Sequence, residues 1–456
     1  MRRLISPPAA LLPLLFLASA MSLWSRDLPT RSIEDDSALR RSLEAVWFRE
    51  TPFSVLARQP EIHTLRSGSR IQVRTETSAQ SPNEFAVVLA REQNGAFPGW
   101  AQGSWVLTRR QDTHEASRIR IFLRSDFNTY VQFRPLAGGR SQMDVVLYDA
   151  YIVRSLPVPI PFERLFVLPV EEALAAAGSR FPRRYFDPEP GRYRDVRSFV
   201  AAVRARLSEL TFVDDGAIDE NGSFVFINTL LPQDISTRPG GVNCSGFAKW
   251  IVDGILRPVT GQRLPVTPLA APFGDRGGIS IEHWEALRDP FFGLDWIRNM
   301  ASRAGTTLRS PSFANLEEIE VRNWPFSQLI HRQGGQRTVR PYRGFLHNAG
   351  FCIEGLQPLL YTLAIDEPGW IYLAVVSDEW GADRFDGFDP HDLRGLPRLR
   401  QFFHIAVLVP FFDENGVFQI VVFESAAETS FQQFRTRYPG HFVNLVRVPV
   451  EGRFDP

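Results

Sequence analysis

The sequence predicts an α+β fold made of two domains. Residues 37–178 consist mostly of apolar and polar residues in alternation, which is typical of antiparallel strands. Residues 195–456 begin with helical periodicity and end with four apolar strand-like segments. Helices followed by a run of consecutive strands indicate an α+β domain with an antiparallel sheet.

The composition is that of a folded globular protein. Hydrophobic residues make up 44% of the 456 residues, and 51 basic side chains balance 51 acidic ones. A chain of this length can bury its cores without metal ions or disulfide bonds. The charges cancel and are interspersed along the chain. Proteins that bind nucleic acids normally carry basic clusters, so we expect no nucleic acid partner.

The first twenty residues have the pattern of a secretory signal peptide. Arg2 and Arg3 precede an apolar run at residues 9–17, and residues 18–20 (Ala-Ser-Ala) offer a cleavage site. The apolar run is short for a membrane span and is interrupted by Pro13. We therefore expect an exported protein, periplasmic or extracellular, whose mature chain does not span the membrane.

The β-rich first domain is predicted from six segments with period-two alternation. Clusters of Gly, Pro, Asn and Asp separate the segments, as expected of turns. Arginines at alternate positions, such as Arg118 and Arg120, are interpreted as a solvated sheet face. The six segments are residues 70–74, 84–89, 104–108, 118–123, 129–133 and 143–153.

Residues 179–194 are the predicted linker between the domains, because they are dense in Pro and Arg and poor in apolar residues. Directly afterwards, Asp195 can cap a helix whose apolar residues share one face. Those residues are Val196, Phe199, Val200, Val203, Leu207 and Leu210. The strands predicted later in this domain are residues 370–376, 404–409, 418–423 and 442–448.

The most informative segment surrounds Cys244. Phe247 and Ile251 fall on one helical face, and Asn243 is a favoured N-cap residue, so Cys244 would lie in the first helical turn. The helix dipole lowers the pKa of a thiol at this position and favours the nucleophilic thiolate. For a lone cysteine at a helix start, a structural role or a disulfide bond with Cys352 is the default, so the partners of Cys244 decide its role.

A thiolate nucleophile needs a base and a group that orients the base. His404 opens an apolar strand that turns back toward Glu424 and Ser425. A loop centred on residue 414 places Glu424 across from His404. A two-residue loop at 415–416 places Ser425 on the diagonal instead, because a one-residue slip exchanges the faces of a strand. The turn sequence favours Ser425, and both residues stay candidates.

Residues 241–247, Gly-Val-Asn-Cys-Ser-Gly-Phe, resemble the nucleophile motif of the NlpC-type papain-like peptidases, which are bacterial cell-wall hydrolases. The segments 370–376, 404–407 and 422–425 resemble the family's core strands in the family's order. Residues 434–438 resemble its arginine-tyrosine segment.

This resemblance implies a papain-like C-terminal domain with Cys244 as nucleophile, His404 as base and Glu424 as orienting group. It favours Glu424 where the turn sequence favours Ser425, and we adopt Glu424. Acidic residues are uncommon at this third position in the family.

The sequence departs from the family's pattern upstream of and after the cysteine. Asn243 replaces the usual aspartate. The family's tyrosine shortly before the cysteine, which helps form the oxyanion site, is missing, because no tyrosine occurs between Tyr193 and Tyr342; Asn228 or Gln233 could substitute. About 160 residues separate Cys244 from His404, so we predict a large insertion at about residues 260–368.

We therefore expect an exported thiol hydrolase that cleaves an amide bond, in peptidoglycan stem peptides if the resemblance extends to the substrate. The alternatives are an inactive papain-like binding or envelope-structural module and a transglutaminase-like acyl transferase. We expect no cofactor and no metal. The acidic stretch 383–392 lacks the spacing of a calcium loop, and apolar neighbours would leave Cys352 inert.

Overall fold

The computed structural model describes residues 27–78, 81–236, 239–274, 289–334, 336–380 and 399–456. The predicted signal peptide and the acidic stretch 383–392 lie outside the described residues. Helices and antiparallel sheets are mixed in the described ranges, which confirms the predicted α+β class. None of the helices in these ranges is long and apolar enough to cross a membrane.

The described part of the chain contains α1 (Ser37–Leu43), followed by a π-helical turn (Glu44–Phe48), α2 (Pro52–Leu56), α3 (Val170–Ala175), α4 (Arg194–Arg206), α5 (Cys244–Thr260), α6 (Phe292–Leu308), α7 (Leu316–Ile319), α8 (Leu356–Asp366) and α9 (Phe431–Arg437). Its strands are β1 (Glu61–Thr64), β2 (Arg70–Thr77), β3 (Glu84–Arg91), β4 (Trp105–Arg110), β5 (Ala116–Ile121), β6 (Tyr130–Leu136), β7 (Arg140–Leu147), β8 (Ala150–Val158), β9 (Ala217–Ile218), β10 (Phe224–Val225), β11 (Gln328–Gln333), β12 (Gln336–Pro341), β13 (Phe351–Cys352), β14 (Trp370–Trp380), β15 (Leu399–Phe412), β16 (Phe418–Glu424), β17 (Ala427–Ser430) and β18 (Phe442–Pro449).

A ten-stranded antiparallel sheet is formed in the order β1 to β8, then β11 and β12. All six predicted segments of the first domain overlap its strands, but residues 143–153 form a hairpin rather than one strand. Tyr148 and Asp149 both have positive φ and reverse the chain between β7 and β8. This turn was not predicted, because it lacks the Asn-Gly sequence that two-residue hairpin turns favour.

The hairpin β11–β12 comes from the predicted insertion and joins this sheet where Leu329 pairs with Ala150. Ile330 then packs in a small cluster with Tyr130 and Val146 on the outer face of the sheet. The interpretation of that face as solvated is therefore wrong around Arg120, which lies partly buried against Tyr130.

The predicted linker, residues 179–194, is packed into the structure. It contains short 3₁₀ helices and buries Phe181, Tyr185, Phe186 and Tyr193. Its aromatic residues join one hydrophobic core that also holds residues of both sheets. The division of the chain into two domains stays a prediction.

The helix predicted after the linker is α4, and its first four predicted core residues, Val196, Phe199, Val200 and Val203, are buried. The predicted cap is wrong by two positions, because Tyr193 occupies the N-cap and Asp195 lies in the first turn. A carboxylate there still interacts favourably with the helix dipole.

The second large sheet has six strands in the order β13, β18, β14, β15, β16 and β17. Its pairs are antiparallel, and β14, β15, β16 and β18 are the four strands predicted for this domain. Helices α5 and α6 pack against β15, which brings the start of α5 next to His404.

Helix α5 also buries Lys249, the one lysine in the sequence. Its Nζ atom lies 2.7 Å from the carboxylate of Asp253 and donates to the carbonyl oxygen of Ile218 at 2.6 Å. The other Asp253 oxygen accepts the backbone N–H of Leu264 at 2.7 Å. The buried charges are thus paired and hydrogen-bonded, as a low-dielectric interior requires.

The first turn of α5 lies directly on the backbone before β9. A Cβ atom added at Gly246 would lie 2.0 Å from the carbonyl oxygen of Gly216, which also accepts the backbone N–H of Asn243. On another side, the indole N–H of Trp296 donates to the carbonyl oxygen of Ser245 at 3.0 Å. These contacts fix the position of Cys244.

The substitution Gly246→Ala should lower the free energy of unfolding by about 1–3 kcal/mol, because the new methyl group overlaps a backbone atom. Urea denaturation measures the effect. The matched control is Gly191→Ala, where an added Cβ meets no atom within 4 Å. Equal stability of the two variants would contradict the close approach of α5 to Gly216.

Candidate active site

Cys244 is the first residue of α5 and Asn243 is its N-cap, as the sequence predicts. The Asn243 side-chain oxygen accepts the backbone N–H of Gly246 at 2.9 Å. The backbone oxygen of Asn243 accepts the N–H of Phe247 at 2.8 Å. The thiol is partly exposed and lies at the positive end of a 17-residue helix, where a thiolate is stabilised.

The loop before the cysteine is held by Gln233, whose side chain is buried. Its amide nitrogen donates to the carbonyl oxygens of Val225 and Gly241, and its oxygen accepts the N–H of Gly241. Asn228 is exposed and donates to the carboxylate of Asp215 at 3.0 Å. The hydrogen-bond partners of both amides thus lie in the loop that precedes α5.

His404 lies on β15 next to a bulge. Val376 pairs with His404 and Ser377 with Phe402, so that Phe403 is the extra residue. Bulges re-aim the neighbouring side chains and are frequent beside active sites. The rigid sheet thus holds the imidazole toward the start of α5.

The hairpin of β15 and β16 has a register that the sequence did not predict. Phe412 pairs with Phe418, and a five-residue loop between them is held by the side chain of Asp413, which accepts two backbone N–H groups. Continuing this register puts Glu424 across from Ala406, on the same face as His404. Neither of the two predicted loops is found.

Glu424 is the residue that contacts His404. One carboxylate oxygen lies 2.6 Å from the Nε2 atom of the imidazole. Ser425 has a φ of 50° and, with Ala426, forms the tight turn between β16 and β17. Of the two predicted candidates, the structure brings only Glu424 to the histidine.

Two further side chains hold the Glu424 carboxylate, which is 3% exposed. The hydroxyl of Thr429 donates to its second oxygen at 2.8 Å, and Arg437 forms an ion pair with that oxygen at 2.8 Å. The ring of Tyr438 lies 5.6 Å from the ring of His404. No role was predicted for these three residues from the sequence, although Arg437 and Tyr438 belong to the segment that resembles the family's arginine-tyrosine segment.

The pKa values of these groups favour a thiolate and imidazolium pair. Burial opposes the charge on Cys244, but the hydrogen bond and charge of His404 outweigh it and lower the pKa of the thiol. Burial likewise opposes the charge on His404, yet Cys244 and Glu424 raise its pKa to about 9. The pKa of Glu424 is lowered despite burial, chiefly by its hydrogen bonds with His404 and Thr429.

Cys352 has the opposite environment. It is buried, and both burial and the nearby carboxylate of Glu354 raise the pKa of its thiol. The thiol donates to that carboxylate, and neither cysteine forms a disulfide bond. This environment disfavours the thiolate, which is the reactive form of a cysteine.

No group of three or more histidine, cysteine or acidic side chains in the described ranges is arranged to hold a metal ion.

Comparison with known proteins gives one match. Residues 29–185 match a family described as a domain of unknown function (DUF8515). No curated protein and no solved structure matches the chain. The matched residues cover about a third of the sequence and end well before Cys244, and the family's description names no activity.

The substitution Glu424→Gln should slow the alkylation of Cys244 by iodoacetamide roughly tenfold at pH 7. Without the carboxylate the pKa of His404 falls, the imidazolium is lost at a lower pH, and less of the thiol is ionised. Rates measured from pH 5 to 9 by peptide mass spectrometry should show the thiolate appearing at higher pH in the variant.

The matched control is Ser425→Ala, which should leave the rate and its pH profile unchanged because Ser425 lies in the turn. Equal slowing in both variants, or no slowing in Glu424→Gln, would contradict the role assigned to Glu424.

Proposed function

We propose that this protein is an exported cysteine hydrolase that cleaves an amide bond through an acyl-enzyme, with a papain-like arrangement of its C-terminal half. The observation that carries this proposal is the continuous contact from Cys244 through His404 to Glu424, with pKa shifts that favour a thiolate beside an imidazolium. A nucleophile, a base and a third group that orients the base are the parts that thiol acyl transfer needs.

In the first half of the reaction, the Cys244 thiolate attacks the carbonyl carbon and forms a C–S bond, while an electron pair moves to the carbonyl oxygen. The tetrahedral intermediate collapses, the C–N bond breaks, and the imidazolium of His404 donates its proton to the departing amine. In the second half, water attacks the thioester. Neutral His404 accepts the proton of this water, and Cys244 leaves as the thiolate.

Glu424 has a positioning role in this scheme. Its contact with Nε2 of His404 leaves Nδ1 as the ring nitrogen that faces the thiol. The carboxylate stabilises the imidazolium and fixes the plane of the ring. Arg437 and Thr429 in turn hold the carboxylate, so it cannot turn away from His404 when the imidazolium forms.

The first turn of α5 can stabilise the developing oxyanion. Asn243 already accepts the N–H groups of Gly246 and Phe247. Asn243 does not accept the N–H groups of Cys244 and Ser245. These two donors lie at the positive end of the helix, next to the carbon under attack. Backbone donors of this kind can replace the hydroxyl of the absent upstream tyrosine.

Peptidoglycan stem peptides are the proposed substrate class. The likeness of residues 241–247 to the nucleophile motif of the NlpC-type cell-wall hydrolases supports this choice. The signal-like first twenty residues support it as well, because export would bring the enzyme to the cell wall.

Incubation of the purified mature protein with peptidoglycan and with isolated stem peptides tests the proposal, with new amino groups and products identified by mass spectrometry. The wild type should release peptide fragments, and Cys244→Ala should lower the rate by roughly 10³-fold or more. Cys352→Ala is the matched control and should keep the activity, because its thiol is buried and protonated.

Added amine acceptors separate hydrolysis from acyl transfer, since a transferase would yield the amide of the added amine. Turnover that survives in Cys244→Ala would overturn the proposed nucleophile. Absence of turnover on all these substrates, with Cys244 reactive toward iodoacetamide and fragment binding equal in wild type and Cys244→Ala, would favour the binding-module alternative.

A further inference from the structure

Three arginines and two tyrosines alternate on the outer face of the ten-stranded sheet. The guanidinium carbon of Arg120 lies 4.7 Å from the ring centre of Tyr130, and that of Arg337 lies 5.8 Å from the same ring. Arg337 also donates to the hydroxyls of Tyr130 and, at 3.5 Å, Tyr151. Arg154 lies 5.3 Å from the Tyr151 ring. We call these five residues the guanidinium ladder.

The ladder is assembled from strands that are far apart in the sequence. Arg120 belongs to β5, Tyr130 to β6 and the pair Tyr151 and Arg154 to β8, whereas Arg337 arrives on β12. The β11–β12 hairpin therefore completes the ladder when it joins the sheet beside β8. Because its members come from four strands, no stretch of sequence shows a basic cluster.

Neighbouring arginines on this side of the sheet have carboxylate partners. Arg118 pairs with Glu84 at 2.8 Å, and Arg332 pairs with Asp149 at 2.7 Å. Arg134 pairs with Asp144 at 3.1 Å.

The ladder arginines differ. Within the described ranges their side chains have neutral hydrogen-bond partners and no carboxylate partner: Arg120 donates to Gln132 at 3.1 Å, and Arg154 donates to Gln328. The Nε atom of Arg337 is buried without a partner. Positive charge is thus concentrated on the ladder, and the nearest carboxylate, Asp144, is reached only through Gln132.

This arrangement is unfavourable for the ligand-free protein. An arginine side chain stays charged at neutral pH, so the repulsion between the ladder guanidinium groups is not relieved by loss of a proton. Burial, together with the charges of Arg337 and Arg118, lowers the pKa of Arg120 to about 10. A negatively charged ligand would relieve the repulsion and satisfy the free donors of the guanidinium groups.

We propose that the guanidinium ladder is a binding site for an oxyanion, a phosphate or carboxylate group carried by a ligand. The planar guanidinium fork matches both groups, and the tyrosine hydroxyls add neutral donors between the forks. The site is separate from the thiol chemistry, since none of its residues contributes to the contacts around Cys244. The proposal therefore stands independently of the proposed function.

Isothermal titration of the full mature chain with inorganic phosphate and with citrate, in chloride buffer of matched ionic strength, tests the site. The wild type should bind at least one of the two anions, and Arg337→Gln should weaken that binding roughly tenfold or more. Binding of phosphate alone identifies a phosphate site, and binding of citrate alone identifies a carboxylate site.

The matched control is Arg110→Gln, an exposed arginine outside the ladder that pairs with Asp112 at 2.8 Å; it should keep the wild-type affinity. Arg154→Gln is a second ladder variant on an exposed residue, for use if Arg337→Gln does not fold. Absence of binding to both anions, or equal weakening by Arg110→Gln and the ladder variants, would overturn the proposal.

Discussion

The packing of helix α5 against strand β15 is the constraint on which the candidate active site depends. Cys244 and His404 are far apart in the sequence, and neither has unusual chemistry on its own. Their contact exists because the first turn of α5 lies against Gly216 on one side and is tied to Trp296 on another, while β15 holds the histidine in the sheet. The resulting charge pair then overcomes the effect of burial on both groups.

The same packing explains why the region predicted as an insertion is not peripheral. Helix α6 from this region contacts α5 and the six-stranded sheet, and β13 is one of that sheet's strands. The β11–β12 hairpin pairs with the ten-stranded sheet through Leu329. The chain between the nucleophile and the base therefore ties together the two sheets rather than forming a separate unit.

Much of this architecture was predictable because its signals are local. Period-two alternation identified most strands, and Asn243 with the apolar face after it identified the start of α5. Registers and long-range pairings were not predictable, since they depend on contacts that no short segment contains. The five-residue loop held by Asp413 decided between Glu424 and Ser425, and its geometry comes from side-chain hydrogen bonds to the backbone. The roles of Arg437 and Thr429 likewise follow from tertiary contact alone.

The buried ion pair of Lys249 and Asp253 has a chemical consequence for an enzyme that works through a thioester. Thioesters acylate free amines, and lysine side chains are the usual amines on a protein surface. This sequence has a single lysine, which lies on α5. Its amino group is buried between the carboxylate of Asp253 and the carbonyl oxygen of Ile218. The folded chain thus presents arginine guanidinium groups as its basic side chains, which are far poorer nucleophiles than amines. In the proposed mechanism, an acyl group on Cys244 would thereby be protected from capture by lysine side chains, whether of the same molecule or of a neighbouring copy.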